Sequence, residues 1–113
     1  MTKFMLIYRN PAGPAKPPSP EEAQAILGLW NQWFQKFGGA ILDGGDGLKP
    51  GGRVLKPGGI VTDGPYVESK EVIGGYSVIQ AKDHEGALAI ARECPYAARG
   101  VIEIRELAGY NER

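Results

Sequence analysis

Phe4-Met5-Leu6-Ile7-Tyr8-Arg9 carries apolar side chains on both alternating faces, with Phe4, Leu6 and Tyr8 on one side and Met5 and Ile7 on the other. A strand of this kind needs cover on both faces. One layer of helices supplies only one of them, so the fold must account for the other. Downstream, Asn10 to Pro18 contains four prolines, which lack a donor and fix φ, so neither helix nor central strand is expected to continue through it. Ser19-Pro20-Glu21-Glu22 then reads as a helix start: an N-cap serine, proline in the first turn, and a glutamate three residues after the serine, as a capping box requires.

From there Ile26, Leu27, Trp30, Trp33, Phe34 and Phe37 recur at three- and four-residue steps, predicting a helix over 20–37 that stops at a left-handed Gly38-Gly39. Ala40 to Asp43 reads as a second strand ended by Gly44-Gly45-Asp46-Gly47. Arg53-Val54-Leu55 and Gly59 to Thr62 flank a Lys56-Pro57-Gly58 turn as a hairpin, and Asp63-Gly64-Pro65-Tyr66 reads as a further turn. Gly74-Gly75 leads into a strand at Tyr76 to Ala81. Asp83 caps a second helix with Ala87, Leu88, Ala91 and Cys94 inward and Ile90 adjacent, which Pro95 ends, and Val101 to Leu107 is the last strand. In that strand Ile102 and Ile104 face one way, Glu103 and Arg105 the other. The order is βαββαβ with a hairpin inserted in its middle, an α+β ferredoxin-like plait in one domain over 1–113. Both helices cover one sheet face. The apolar second face, with Met5 and Ile7, is expected to pair with a second copy, giving a homodimeric α/β barrel.

Composition narrows the function classes. At 42% hydrophobic and 23% charged, the 113 residues match an ordinary globular domain, and thirteen basic residues against thirteen acidic ones leave no field for nucleic acid. Cutting at Pro57 leaves +3 before and −3 after, an asymmetry that solvated charge or docking elements would both explain. The opening apolar run is too short to span a bilayer, and the lone Cys94 cannot form an internal disulfide, so a cytoplasmic protein without membrane contact is expected. One histidine and one cysteine without companions give no metal site, and no cofactor motif is present. The run from Gly44 to Gly52 lacks the Gly-Lys-Ser/Thr ending of a phosphate loop, and Pro50 bars a helix from starting at Lys49.

Val61-Thr62-Asp63-Gly64-Pro65-Tyr66-Val67-Glu68-Ser69-Lys70-Glu71, continuing through Gly74-Gly75-Tyr76, resembles the signature of the YCII-related family in its DGPF branch, with Tyr66 in place of the phenylalanine. Trp30 in the first helix, the Ala87 to Ala91 stretch, Cys94-Pro95 and Gly100 to Arg105 extend the resemblance over nearly the whole chain. The resemblance implies a dimeric α/β barrel and a branch of largely undefined activity. In the YCII branch proper, a histidine on the first helix and a nearby aspartate resemble a catalytic dyad, and one relative dehydrochlorinates a hydroxylated aromatic. Here no histidine lies between Pro20 and Gly39, Asp43 has no imidazole partner in sequence reach, and His84 sits at the second helix, so the dyad does not transfer.

Asp63, Tyr66, Glu68, Lys70 and Glu71 form the densest polar cluster. At a barrel mouth a buried carboxylate such as Asp63 would serve as general base while Lys70 steadies developing negative charge, with Tyr66, Glu68 and Glu71 binding ligand. A structural account competes with this: Asp63 accepting turn amides and the charged residues anchoring the segment by ion pairs. Tyr8, Trp30, Tyr76 and Arg105 complete the candidate ligand-binding set, Arg105 as a fork for a carboxylate or enolate, with a structural pair to Glu103 or Glu106 as the competing role. The sequence thus favours a barrel that binds a small aromatic or anionic molecule, with lyase or isomerase chemistry attached. The alternative is a non-enzymatic interaction module tied to transcriptional regulation, since DGPF-like domains resemble modules found with extracytoplasmic-function sigma factors.

Overall fold

The computed structural model describes residues 1–11, 16–64 and 71–110. Among these residues six strands and two helices follow in the order β1 (Thr2–Pro11), α1 (Pro20–Lys36), β2 (Ile41–Gly47), β3 (Arg53–Lys56), β4 (Ile60–Asp63), β5 (Glu71–Ala81), α2 (His84–Arg92) and β6 (Val101–Glu106), with a 3-10 turn at Pro95–Ala98 before the last strand. Four of the strands form an antiparallel sheet in the order β2-β5-β1-β6, the ferredoxin-like plait expected, while β3 and β4 pair only as a separate ribbon.

Both helix starts obey their caps. The Ser19 hydroxyl accepts the Glu22 amide and the Glu22 carboxylate reaches back to the Ser19 amide, while Asp83 accepts the Gly86 amide at 2.9 Å. Helix α1 does not end in a left-handed glycine. Phe37 caps it at φ −113° with its amide on the Trp33 carbonyl, and Ala40 and Ile41 fold back onto the Phe37 carbonyl. Two stacked amides at that carbonyl do the work expected of Gly38 and Gly39, neither of which has positive φ.

One sheet face is covered. Phe4, Leu6 and Tyr8 of β1 and Ile79 and Ala81 of β5 form the core with Trp33 of α1 and Ala87, Ile90 and Ala91 of α2, joined by Cys94. Leu88, expected inward, is only half-buried, and Ile90 takes the inward position in its place. Hydrogen bonding ties this core together where burial alone would leave polar atoms stranded: the Trp33 indole donates to the Ile90 carbonyl at 3.0 Å, locking α1 to α2.

The other sheet face carries Met5 and Ile7 in register with Val78 and Tyr76, and Ile7 in register with Glu103. Glu103 there accepts Arg9 Nε at 2.8 Å and Arg105 Nη1 at 3.2 Å, so Arg105 makes the structural pair weighed for it. These hydrogen bonds, from Arg9 first and then Arg105, hold the Glu103 carboxyl below its ordinary pKa. A lowered carboxylate contributes stability above its unfolded-state pKa and loses it as pH falls through the folded value. Because the pair is only part-buried, the contribution is at most about 1 kcal/mol. Glu103→Gln should therefore melt slightly earlier than the parent near neutral pH, with the gap closing in acid. A gap that persists unchanged to acid pH would contradict that origin.

The ribbon of β3 and β4 turns through Pro57-Gly58-Gly59, with both glycines at positive φ. It stands away from the plait. Leu55 is 74% exposed and Ile60 59%, and the radius of gyration of 15.7 Å exceeds the roughly 13 Å of a compact chain this long.

Candidate functional site

Strand β2 does not stop at its glycines. It runs through Gly44-Gly45-Asp46-Gly47 along β5, and its register slips twice, between Ile41 and Asp43 and between Asp43 and Asp46. Gly45 is what allows this: at φ 73° it lies so close to β5 that a β-carbon would stand 1.7 Å from the Tyr76 carbonyl oxygen. Strand β5 likewise begins at Glu71 and carries Gly74 and Gly75 inside it, opposite this segment. Two glycine-bearing strands side by side leave a floor made of backbone, with no side chains to fill the space above it.

Aromatic rings wall that space. Trp30 and Phe34, one helical turn apart on α1, stand on one side with centroids 5.9 Å apart. Tyr8 of β1 meets Trp30 edge-on at 5.5 Å, and Tyr96 of the 3-10 turn lies 5.2 Å from Tyr8. The result is an open cleft of about 290 Å³, bordered also by Asp46 and Tyr76. That is near the lower end of the size range for small-molecule sites, roughly 300 to 1,000 Å³.

Beneath the cleft a chain of hydrogen bonds fixes the wall. Ser77 Oγ donates to the Gly44 carbonyl at 2.7 Å, so its proton is committed and Tyr8 must donate to Ser77 across their 2.7 Å contact. The Tyr8 oxygen in turn accepts from the Cys94 thiol, 3.7 Å away. This order joins β1, β5, β2 and the end of α2 through one buried polar line. Burial holds the Tyr8 phenol far above its ordinary pKa, the Ser77 hydrogen bond offsetting only part, and burial likewise raises Cys94. Tyr8 is thus a neutral hydrogen-bond donor and Cys94 an unreactive thiol at neutral pH. Tyr96 is raised by burial too, with Arg99 lowering it and Glu71 raising it further. Its hydroxyl donates to the Arg9 carbonyl at 2.8 Å and touches the Asn10 amide.

Of the residues singled out from the sequence, Tyr8 and Trp30 come together at the cleft; Tyr76 borders it through strand β5, with its side chain in register with Ile7 on the other sheet face. Glu71 pairs with Pro11 at the start of β5, near enough to Tyr96 to influence it. Asp63 does not join them. It belongs to β4, not to a turn, pairs with Arg53 in the ribbon, and has a side chain 93% exposed beside the Arg53 guanidinium at 3.4 Å. The structural account, in which Asp63 accepts turn amides, is corrected by this placement: the residue stands in a strand and its carboxylate faces Arg53. Tyr66, Glu68 and Lys70 lie outside the described residues. Phe34, Tyr96 and the glycine segment of β2 were not foreseen as site residues. Phe34 had a signal, its spacing of four from Trp30, but Tyr96 had none, because the 3-10 turn that presents it follows a proline that reads only as a helix stop. No group of three or more histidine, cysteine or acidic residues that could hold a metal ion occurs among the described residues, and no helix among them is long and apolar enough to cross a membrane.

No curated protein matches the chain. Among solved structures, it is similar to 5-chloro-2-hydroxyhydroquinone dehydrochlorinase from Burkholderia phenoliruptrix, in complex with 2,5-dihydroxybenzoquinone. The TM-score is 0.49 and the identity 13%, covering 97% of this chain and 98% of that chain. The model of the YCII-related domain matches residues 6–110, nearly the full length, and the chain belongs to the YCII-related family.

Proposed function

We propose that this chain binds a small planar aromatic molecule in the cleft between α1 and the glycine-bearing ends of β2 and β5, within the DGPF branch of the family and as a homodimer joined through the open sheet face. The observation that carries the binding reading is the four-ring wall of Tyr8, Trp30, Phe34 and Tyr96 over a floor of bare backbone. Such a wall offers a flat ligand stacking and edge contacts, and the floor lets it approach the main chain closely. The dimer reading rests on Met5, Ile7, Tyr76 and Val78, an apolar patch with no element of the described residues over it. The branch reading rests on Asp63-Gly64-Pro65-Tyr66.

The reading stops at binding. Acid/base chemistry of the lyase or isomerase kind needs groups that exchange protons near neutral pH, whereas the cleft phenols Tyr8 and Tyr96 are both shifted upward. Asp63 stands on the exposed ribbon, and Lys70 lies outside the described residues.

The two tryptophans make the test direct. Trp30 borders the cleft and Trp33 is buried behind it, so an aromatic ligand should quench part of the fluorescence in a saturable way. Trp30→Ala should weaken that binding at least about tenfold, the equivalent of one lost aromatic contact of ~1.4 kcal/mol, with the fold checked by circular dichroism. Absence of saturation by any catechol, hydroquinone or hydroxybenzoate at millimolar concentration would overturn the reading. So would undiminished binding in folded Trp30→Ala.

A further inference from the structure

We infer that two copies of the chain meet about a two-fold axis running along the strands, which lays the acidic edge strand β2 of each copy over the basic edge strand β6 of the other. The inference rests on the homodimer reading above and goes further by fixing how the partner is turned.

Strand register assigns the side chains of the open face. On the central strands, Met5 and Ile7 of β1 stand in register with Val78 and Tyr76 of β5, so the middle of the face is apolar. The two edges are charged, and oppositely. On β2, Asp43 is in register with Val78 and Asp46 with Tyr76, which puts both carboxylates on the open face at one edge. On β6, at the other edge, Arg105 is in register with Met5 and Glu103 with Ile7. Glu103 accepts from Arg9 Nε at 2.8 Å and from Arg105 Nη1 at 3.2 Å, so two guanidiniums share one carboxylate and that side keeps a net positive charge. Lys3 of β1, in register with Gln80, adds to it. Asp43 and Asp46 are exposed, and the Arg105 side chain is 68% exposed. An apolar centre inside a polar rim is the general anatomy of a protein interface, and here the two sides of the rim differ in sign.

That difference chooses between two arrangements. Identical sheets packed face to face and nearly aligned are related by a dyad lying between them. A dyad across the strands sets each edge over its own copy, carboxylates against carboxylates and guanidiniums against guanidiniums. A dyad along the strands exchanges the edges and sets carboxylates over guanidiniums on both sides of the interface. The apolar centre accepts either, since β1 and β5 are the two middle strands and face each other's copies in both. Like charges facing across an interface disfavour it, whereas opposite charges fix its register, so the exchanged arrangement is the one selected. Asp46 belongs to the glycine segment whose backbone floors the cleft, so this contact lies on the reverse side of that floor.

Sedimentation of the full chain over a dilution series reads the dimer dissociation constant and tests the arrangement. With the edges exchanged, the constant should rise roughly three- to tenfold between low salt and about 0.5 M salt, because the facing charges attract and salt screens them. Asp46→Asn and Asp43→Asn, which keep an oxygen for the Gly47 and Gly45 amides, should each raise it by a similar factor. Arg105→Ala should loosen the dimer only a few-fold, leaving its mass unchanged at micromolar concentration. Arg105→Asp should loosen it roughly tenfold or more, and Asp46→Lys added to the same chain should recover most of that loss. With each edge over its own copy the signs invert: salt and both asparagine variants would tighten the dimer. A constant that falls or stays level with salt, or asparagine variants that bind as tightly as the parent or more so, overturns the exchanged arrangement while leaving the homodimer reading standing. A parent chain that stays monomeric throughout the series overturns both.

Discussion

Replacing Gly45 by alanine should cost about 2–5 kcal/mol and close the cleft, the largest effect expected of any single methyl group in this chain. Two contributions add. At φ 73° an alanine sits in the left-handed region, which costs roughly 1–2 kcal/mol. Its β-carbon would also stand 1.7 Å from the Tyr76 carbonyl oxygen and 2.6 Å from the carbonyl carbon, both backbone atoms that cannot swing aside as a side chain tip can. Strand β2 would have to lift away from β5, taking with it the Gly44 carbonyl that Ser77 holds and so unseating the Tyr8 hydrogen bond. For a domain of this size each kcal/mol lowers the melting temperature by about 4–8 °C, so a fall beyond about 8 °C is expected. The neighbouring glycines supply the controls. At Gly44 the added carbon meets only the edge of the Phe34 ring at 3.2 Å, which can shift by a few tenths of an ångström, and at Gly47 it meets nothing nearer than the Gly74 carbonyl at 3.8 Å. Gly47→Ala should be close to neutral and Gly44→Ala mildly destabilising. Three variants with equal melting temperatures would mean that the slipped register of β2 does not hold in solution.

That same glycine segment marks the boundary of what the sequence discloses. The plait was legible because its signals are periodic or local: the alternation of Phe4 to Tyr8, the capping box at Ser19, the cap at Asp83, and a βαββαβ order that only a few topologies satisfy. Two of the four cleft rings were legible as well, Tyr8 from its strand and Trp30 from its helix. The cleft itself was not, because it is made by an irregularity. Glycine normally ends a strand pattern, and Gly44-Gly45-Asp46-Gly47 reads as a loop by every local rule. It stays in the sheet because β5 brings Ser77 to the Gly44 carbonyl from more than thirty positions away and the Gly74 carbonyl to the Leu48 amide, and no local pattern encodes that pairing. Asp63 failed in the opposite direction. Its neighbours Gly64 and Pro65 signal a turn so strongly that the strand pairing of Asp63 with Arg53 is hidden, and a residue rich in chemical possibility proves to be placed on an exposed ribbon.

Ile7→Asp should dissociate the proposed dimer into monomers with little loss of monomer stability. Ile7 stands in mid-strand on the open face, with Tyr76 on one flanking strand and Glu103 on the other. In the isolated chain this face meets water, so an aspartate there stays hydrated and costs at most the local repulsion from Glu103, which Arg9 and Arg105 already balance. In a face-to-face dimer the same carboxylate would be buried without a partner. Removing an ion from water costs several kcal/mol even after relaxation, and two-fold symmetry presents the penalty twice in each dimer. Dissociation should rise by at least about a thousandfold, since each ~1.4 kcal/mol is a factor of ten. Light scattering at micromolar concentration should therefore report twice the 12.1 kDa chain mass for the parent and the chain mass alone for the variant. Exposed Arg105→Ala, at the rim of the same face, should leave the parent's mass unchanged. The contrast separates a sheet interface from association through the exposed ribbon: if Ile7→Asp remains a dimer while Leu55→Ser on β3 becomes a monomer, the ribbon holds the copies together and the open face does not. A parent protein that is monomeric at these concentrations would remove the dimer from the proposed function altogether, and Met5, Ile7 and Val78 would then be an apolar surface that the single chain tolerates in water.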